Sequence, residues 1–325
     1  MAIANDTPVP IVGGWKLAGQ LTESDYVYSW DGYPVPIKLV QECKTQTMFE
    51  VQFKDGSFIH VDNNTTFPAF TIADRERESR YTGKYKRRYI QRYYSPEQLI
   101  EKGLLNKRGW RVFSVENAKP LQFPTEDHPV PPFIVGLWVA KKGAKVKFTF
   151  EPEWVDYVQK KIRSHGWFVE RKNNTLTFKQ SINNTFLTRY PSIPNRLPIE
   201  YTFGSIEQRI EFLRGIVAMK PGCYNPKLDR FLIFSRSLRF LITLQSICES
   251  LGMKTQVFNN SSSLTHQLTF ATTIELHPKQ QNTKRTKGDR RRMIMKVERI
   301  DPKPSVHIDT DVPFVVGQGF LPIWH

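Results

Sequence analysis

Two segments of one design set the strongest limit on how this chain can fold. FIVGLWVAKKG at 133–143 and FLRGIVAMKPG at 212–222 each read as an apolar helix with a central glycine, Gly136 or Gly215, and a lysine five residues on, Lys141 or Lys220. Glycine lets backbones approach closely, so two helices with glycine at matching positions can cross in contact. Two unrelated core helices would show the same spacing, and the residues alone leave that alternative open. Each segment is followed by β-type sequence, KVKFTF and TLTF after the first and RFLIFS after the second, and then by a later helix. In IEQRIEFLRGIV the residues Ile206, Ile210, Leu213 and Val217 share one helical face, and SLRFLITLQSICESLGM continues the helical pattern.

The two ends of the chain are written differently. YVYSWDGYPVPIKLV and TMFEVQFKDGSFIHV are short β-branched and aromatic runs broken by the turn pairs Asp31-Gly32 and Asp55-Gly56, and KVERIDPKPSVHIDTDVPFVVGQGFLPIWH repeats that style. All-β ends around a mixed middle predict an α+β protein in which one domain is inserted into a loop of another. With 325 residues, 39% of them hydrophobic and 13% aromatic, the chain can bury the cores this requires and is not a disordered segment.

The net charge of +16 favours a polyanionic partner, nucleic acid above all. The basic residues cluster. In RERESRYTGKYKRRYIQRYY, residues 75–94, Arg80, Lys84, Lys86, Arg87, Arg88 and Arg92 can reach phosphates, while Tyr81, Tyr85, Tyr89 and Tyr93 recur every four residues. On a helix those tyrosines form one stripe, read as a packing face in preference to a base-stacking surface, with the arginines opposite left for an anion. In KQQNTKRTKGDRRR, residues 279–292, the basic residues Lys284, Arg285, Lys287, Arg290, Arg291 and Arg292 predict a solvated linker that can also touch a phosphate backbone.

Other chemistry is not signalled. Cys43, Cys223 and Cys248 are far apart and form no CxxC pair, which points to reduced thiols in an intracellular protein. His60, His165, His266, His277 and His307 show no metal-ligand spacing, and Gly13-Gly14 opens a turn and no phosphate loop. No leader and no apolar run of membrane-spanning length is read, so the expectation is a soluble chain in the cytoplasm of a host cell or in a virion, with no cofactor, no metal and no membrane partner.

On these segments the chain resembles an intein: a Hint-type splicing domain carrying a LAGLIDADG homing endonuclease insert. FIVGLWVAKKG and FGSIEQRIEFLRGIVAMKPG are similar to the two LAGLIDADG segments, FLIFSRSLRFLITLQSICESLGMKTQV to the strand, helix and turn after the second, AIANDTPVPIVGGWKLAGQL to the opening Hint block and FVVGQGFLPIWH to the closing one. The resemblance implies an all-β Hint-like domain made of residues 1–125 and 279–325, interrupted at 126–278 by an α/β endonuclease-like insert with a pseudo-two-fold helix pair.

It also implies where reactive groups would stand. The splicing nucleophile's position, four residues before Asp6-Thr7, holds Ala2; the histidine of the next block's Thr-x-x-His is matched by Thr65; the closing His-Asn pair is matched by Trp324 and His325. Alanine has no thiol or hydroxyl to start an acyl shift, and histidine cannot cyclise as asparagine does. The Met1 start and the lack of residues after His325 fit that expectation. The acidic metal ligands that close the two LAGLIDADG helices are matched by Lys141 and Lys220, and an ammonium cannot ligate magnesium. Two such lysines could instead hold a phosphate between them, the alternative being that the former catalytic floor has drifted and the lysines point into solvent.

The reading is therefore a non-enzymatic, domesticated relative that binds DNA without splicing or cutting. Its phosphate contacts would come from Lys141, Lys220, Arg80, Lys84, Lys86, Arg87, Arg88, Arg92, Lys284, Arg285, Arg290, Arg291 and Arg292. A structural role with protein partners in a larger assembly such as a phage particle is the alternative, and a surviving homing endonuclease the second.

Overall fold

The computed structural model describes residues 1–80, 92–140, 147–178, 199–220, 222–260, 265–277, 280, 291–317 and 319–324. The chain is an α+β protein that divides into two compact units, Met1–Gln122 with Cys248–Lys254 and Lys284–His325, and Phe123–Ile247 with Thr255–Thr283.

The first unit is built on two long strands, Leu39–Phe53 and Arg291–Asp309, paired antiparallel from Ile294 opposite Phe53 to Asp309 opposite Leu39. The Ala2–Ala4 strand pairs with both Arg291–Asp309 and Phe58–Val61, and Phe58–Val61 in turn pairs with Leu39–Phe53, so these four strands close a ring. Closure removes exposed edges and encloses Ile3, Val51, Ile59, Val61 and Val306 in the core. The turn pairs do local work. Gly56 takes a φ of 88° and Gly32 one of 90°, which admits glycine readily, and Asp55 Oδ1 accepts the Ser57 amide at 3.0 Å and its hydroxyl at 2.6 Å.

Helices α1 (Ile72–Arg80) and α2 (Pro96–Lys102) belong to this unit. Thr71 and Asp74 cap the first reciprocally, the Asp74 carboxylate accepting Thr71 N–H at 2.9 Å, and Ser95 with Gln98 does the same for the second. The tyrosine stripe does not extend to Tyr93 as helix. Arg92–Tyr94 is a strand against Phe67–Phe70, because pairing with that edge buries Tyr94 on Phe113, ring centroids 5.0 Å apart. Tyr81, Tyr85 and Tyr89 lie outside the described residues.

In the second unit, α3 (Pro132–Ala140) leads to the strand Lys147–Thr149, α4 (Pro152–Ser164) and the strands Val169–Lys172 and Thr175–Phe178. After α5 (Ile206–Ala218) come the strands Tyr224–Asn225 and Arg230–Ser235, α6 (Leu238–Ser250), whose residues from Cys248 on are counted with the first unit, and the strands Lys254–Asn260, from Thr255, and Thr265–Ala271. Helix α4 buries Trp154, Val155, Val158 and Ile162 along one stripe, as helical periodicity requires. Among the described residues no helix is long and apolar enough to cross a membrane.

Candidate functional site

Helices α3 and α5 form the centre of the second unit, and the paired glycines decide how closely they meet. A Cβ on Gly136 would stand 2.2 Å from the Phe212 carbonyl oxygen, and one on Gly215 would stand 2.1 Å from the Phe133 carbonyl oxygen. The relation is reciprocal: each glycine abuts the carbonyl three residues before the other. That is a pseudo-two-fold crossing, and any side chain at either position would force the backbones apart.

The crossing buries α5 more widely than its apolar periodicity indicates. Leu213 and Val217 are buried, Ile206 and Ile210 only partly, and Arg209, Phe212, Gly215 and Ile216 are buried as well. Arg209 is enclosed because its groups are matched: Nε donates to the Gly204 carbonyl at 2.9 Å and the guanidinium lies 4.5 Å from the Phe123 ring centroid. The start of α5 is fixed by Ser205, whose hydroxyl accepts from Gln208 while the Gln208 side chain returns to Ser205 N–H at 2.9 Å.

Lys220 stands two residues past the end of α5, in a turn whose Cys223 N–H donates to the Lys220 carbonyl at 3.1 Å. Burial pushes the Cys223 thiol up to about 12, with Lys220 and Glu151 acting on it in opposite senses, so both charges lie near this turn. Glu151, just before α4, gave no signal in sequence; only the packing of the turn brings its carboxylate here. Lys220 does not fit a divalent-metal ligand, and among the described residues no group of three or more His, Cys, Asp and Glu could hold a metal. Lys141 lies outside the described residues.

In the first unit, one loop gathers the positions matched to the splicing residues. The Ala2 carbonyl oxygen accepts Asp62 N–H at 2.9 Å and lies 3.3 Å from Thr65 Oγ1, which stands 2.6 Å from Asp62 Oδ1. The next residue, Thr66, donates its N–H to the Trp324 carbonyl at 2.6 Å and its hydroxyl to the same oxygen at 3.1 Å, and Trp324 N–H returns to Thr66 at 2.9 Å. Ala2, Thr65 and Trp324 are thus brought together around residues 62–66, while His325 lies outside the described residues. His307, one of the scattered histidines, sits directly opposite Ala2, its Nδ1 3.1 Å from the Met1 backbone nitrogen. Strand register alone could have found it.

The basic clusters divide. Arg92 is exposed on its strand, and Arg80 ends α1 with its side chain outside the described residues. Lys84, Lys86, Arg87, Arg88, Lys284, Arg285 and Arg290 lie outside them too. Arg291 and Arg292 correct the expectation of a solvated linker. Both are 3% exposed and begin the long Arg291–Asp309 strand. Arg292 reaches Asp55 at 3.0 Å, Glu249 at 3.2 Å and Asn117 Oδ1 at 2.9 Å, and Arg291 lies 4.3 Å from the Phe70 ring centroid. Enclosed among these partners, neither reaches a phosphate backbone; the carboxylates and the ring meet the charge that a DNA phosphate was expected to meet.

No family model matches the chain. It is 24% identical over 286 residues to the replicative DNA helicase DnaB of Mycobacterium intracellulare, a match taking in 83% of this chain and 47% of that protein. The chain therefore spans about half the length of the curated relative it matches. Among solved structures it is similar to the MchDnaB-1 intein, 28% identical over 21% of this chain and 52% of that one with a TM-score of 0.20. It is also similar to the homing endonuclease I-DmoI in complex with DNA and Mn, 10% identical over 43% of this chain and 88% of that one with a TM-score of 0.30. Its neighbours are inteins and a LAGLIDADG homing endonuclease, which are enzymes, and this overturns the expectation of a non-enzyme.

Proposed function

We propose that this intein-like chain binds duplex DNA through its second unit, with Lys220, and Lys141 beyond α3, contacting the phosphate backbone. The observation that carries the reading is the glycine-faced crossing of α3 and α5, which fixes the turn holding Lys220 to the unit's central helix pair. A cation held on a rigid element neutralises a phosphate without the entropy cost of ordering a loop. The net charge of +16 supports the same partner, since a basic surface attracts a polyanion over distance. Exposed Arg92 of the first unit adds a further interaction of this kind.

The test is fluorescence anisotropy of a labelled duplex titrated with the full chain over a range of salt. Affinity should fall linearly on a log–log plot, and Lys141→Ala with Lys220→Ala should reduce the slope by about 0.9 for each phosphate that is no longer neutralised. Binding insensitive to salt, or a double variant that binds as tightly as the parent, overturns the proposal. The same duplexes incubated with magnesium or manganese and run on a denaturing gel report directly whether the strands are cut.

A further inference from the structure

We propose that Lys303 is a nucleophilic amine that captures small uncharged carbonyl compounds as imines in a cavity of the first unit. The cavity holds about 530 Å3 and is lined by residues of the 6–8 and 56–60 segments with Lys303 and Gly317. That volume lies within the range of about 300–1,000 Å3 usual for small-molecule sites.

Three side chains in line carry the argument. Lys303 Nζ stands 3.1 Å from His60 Nδ1, and His60 Nε2 stands 3.0 Å from Glu50 Oε2. An ammonium only donates, so Nδ1 is the acceptor, and Nε2 carries the ring proton and donates it to Glu50. A nucleophile within hydrogen-bond reach of a base that a third group orients is the arrangement by which an amine, hydroxyl or thiol is activated. Its parts are held firmly. Glu50 and His60 face each other across paired strands, the Phe58 ring stands 5.2 Å from the His60 ring, and His60 is 12% exposed. Register irregularities on both sides of Lys303 interrupt the long ladder there, and such bulges re-aim a side chain out of the regular alternation.

The chemistry balances with these groups alone. Lys303 passes a proton to His60 Nδ1, and the Glu50 carboxylate stabilises the imidazolium. The neutral amine attacks the carbonyl carbon, a C–N bond forms as the C–O π bond breaks, and the His60 imidazolium returns its proton to the oxygen. The nitrogen, now cationic, gives a second proton to His60 Nδ1, which leaves a neutral carbinolamine. His60 passes that proton to the hydroxyl, the nitrogen lone pair expels it as water, and the protonated imine remains, with no electrons gained or lost overall. Pro8 and Phe58 offer an apolar wall to the body of the compound, while the Asp6 carboxylate disfavours an anion.

The experiment treats the full chain with benzaldehyde and cyanoborohydride at neutral pH, which traps the imine as a stable amine, and maps the modified lysines by peptide mass spectrometry. Lys303 should be modified about tenfold or more faster than exposed Lys102 and Lys107, within the gain a positioned base supplies. His60→Gln, which keeps a donor toward Glu50, should bring Lys303 down to the rate of Lys102, and 4-formylbenzoate should modify it more slowly than benzaldehyde. Circular dichroism of the variant checks that it is folded, and Glu50→Gln, which leaves the base in place, should lower the rate by a smaller factor. The proposal fails if Lys303 reacts no faster than Lys102, or if folded His60→Gln reacts as fast as the parent; equal rates for the two aldehydes overturn the selection for uncharged compounds.

Discussion

Gly136 and Gly215 stand opposite each other where α3 crosses α5, so that a methyl group added to either would lie 3.1 or 3.0 Å from the other's Cα. Gly136→Ala or Gly215→Ala should therefore destabilise the second unit by about 3 kcal/mol, the upper end of ordinary overpacking, because the obstacle is backbone and cannot rotate away. Urea unfolding followed by tryptophan fluorescence reads this, with Trp138 of α3 and Trp154 of α4 buried in the same unit. Once one methyl has parted the helices, the second should cost less, so the double variant should fall short of the sum. Parent-like stability in either single variant would show that the crossing tolerates a side chain.

Arg292 ties three buried groups of the first unit, with Asp55 and Glu249 as its carboxylate partners. Arg292→Met removes the guanidinium and leaves two enclosed carboxylates without it, a change that costs about 3–5 kcal/mol where a buried pair is broken from one side. Chemical denaturation checks the loss. Replacing Asp55 and Glu249 along with Arg292 should recover part of it, since the uncompensated charge is then gone.

The three thiols should separate by reactivity. Burial pushes Cys223 up to about 12 and raises Cys248 well above its ordinary value, while Cys43 is half-buried on the Leu39–Phe53 strand. Since the thiolate is the nucleophile, iodoacetamide at about pH 8 should alkylate Cys43 in the native protein and reach the other two only after unfolding. Native alkylation of Cys223 or Cys248 at the rate of Cys43 would contradict their enclosure.

Two histidines make the second unit sensitive to acid. Burial lowers His128, which stacks on Tyr201 with centroids 4.0 Å apart, and burial together with Lys161 lowers His165, both from 6.5. A base whose folded value is lowered binds fewer protons folded than unfolded, so stability rises with pH through this range. Their contribution is fully present above about pH 6.5 and is lost as pH falls through the lowered folded values. Thermal midpoints between pH 7 and 5 should fall in the parent and fall less in His128→Gln; NMR titration of His128 at or above 6.5 would remove the basis for this.

The hairpin turns were legible because their signals are local: Asp31-Gly32 and Asp55-Gly56 stand where the chain must take positive φ. The helix pair was legible as two similar segments, since glycine at a matched place is written in the sequence. That the two segments are partners was not, because one crossing needs residues 79 positions apart to meet, from Gly136 to Gly215. The basic run at 279–292 misled for a related reason. Local composition measures a residue's cost of burial but not the carboxylates that fold in to meet it, and Arg292 meets Asp55, Glu249 and Asn117 from three distant parts of the chain.

The sequence by itself determined which stretches are strands, helices and turns in outline, and that its charge favours a polyanion, because periodicity, turn chemistry and charge are properties of neighbouring residues. Only the tertiary structure decided which side chains share a site. Ala2 and Trp324 come to one loop through Thr65 and Thr66, and Lys303 comes to His60, because strand register joins residues far apart in sequence. Register is set by the burial of a whole sheet face, a sum over many residues that no short motif contains.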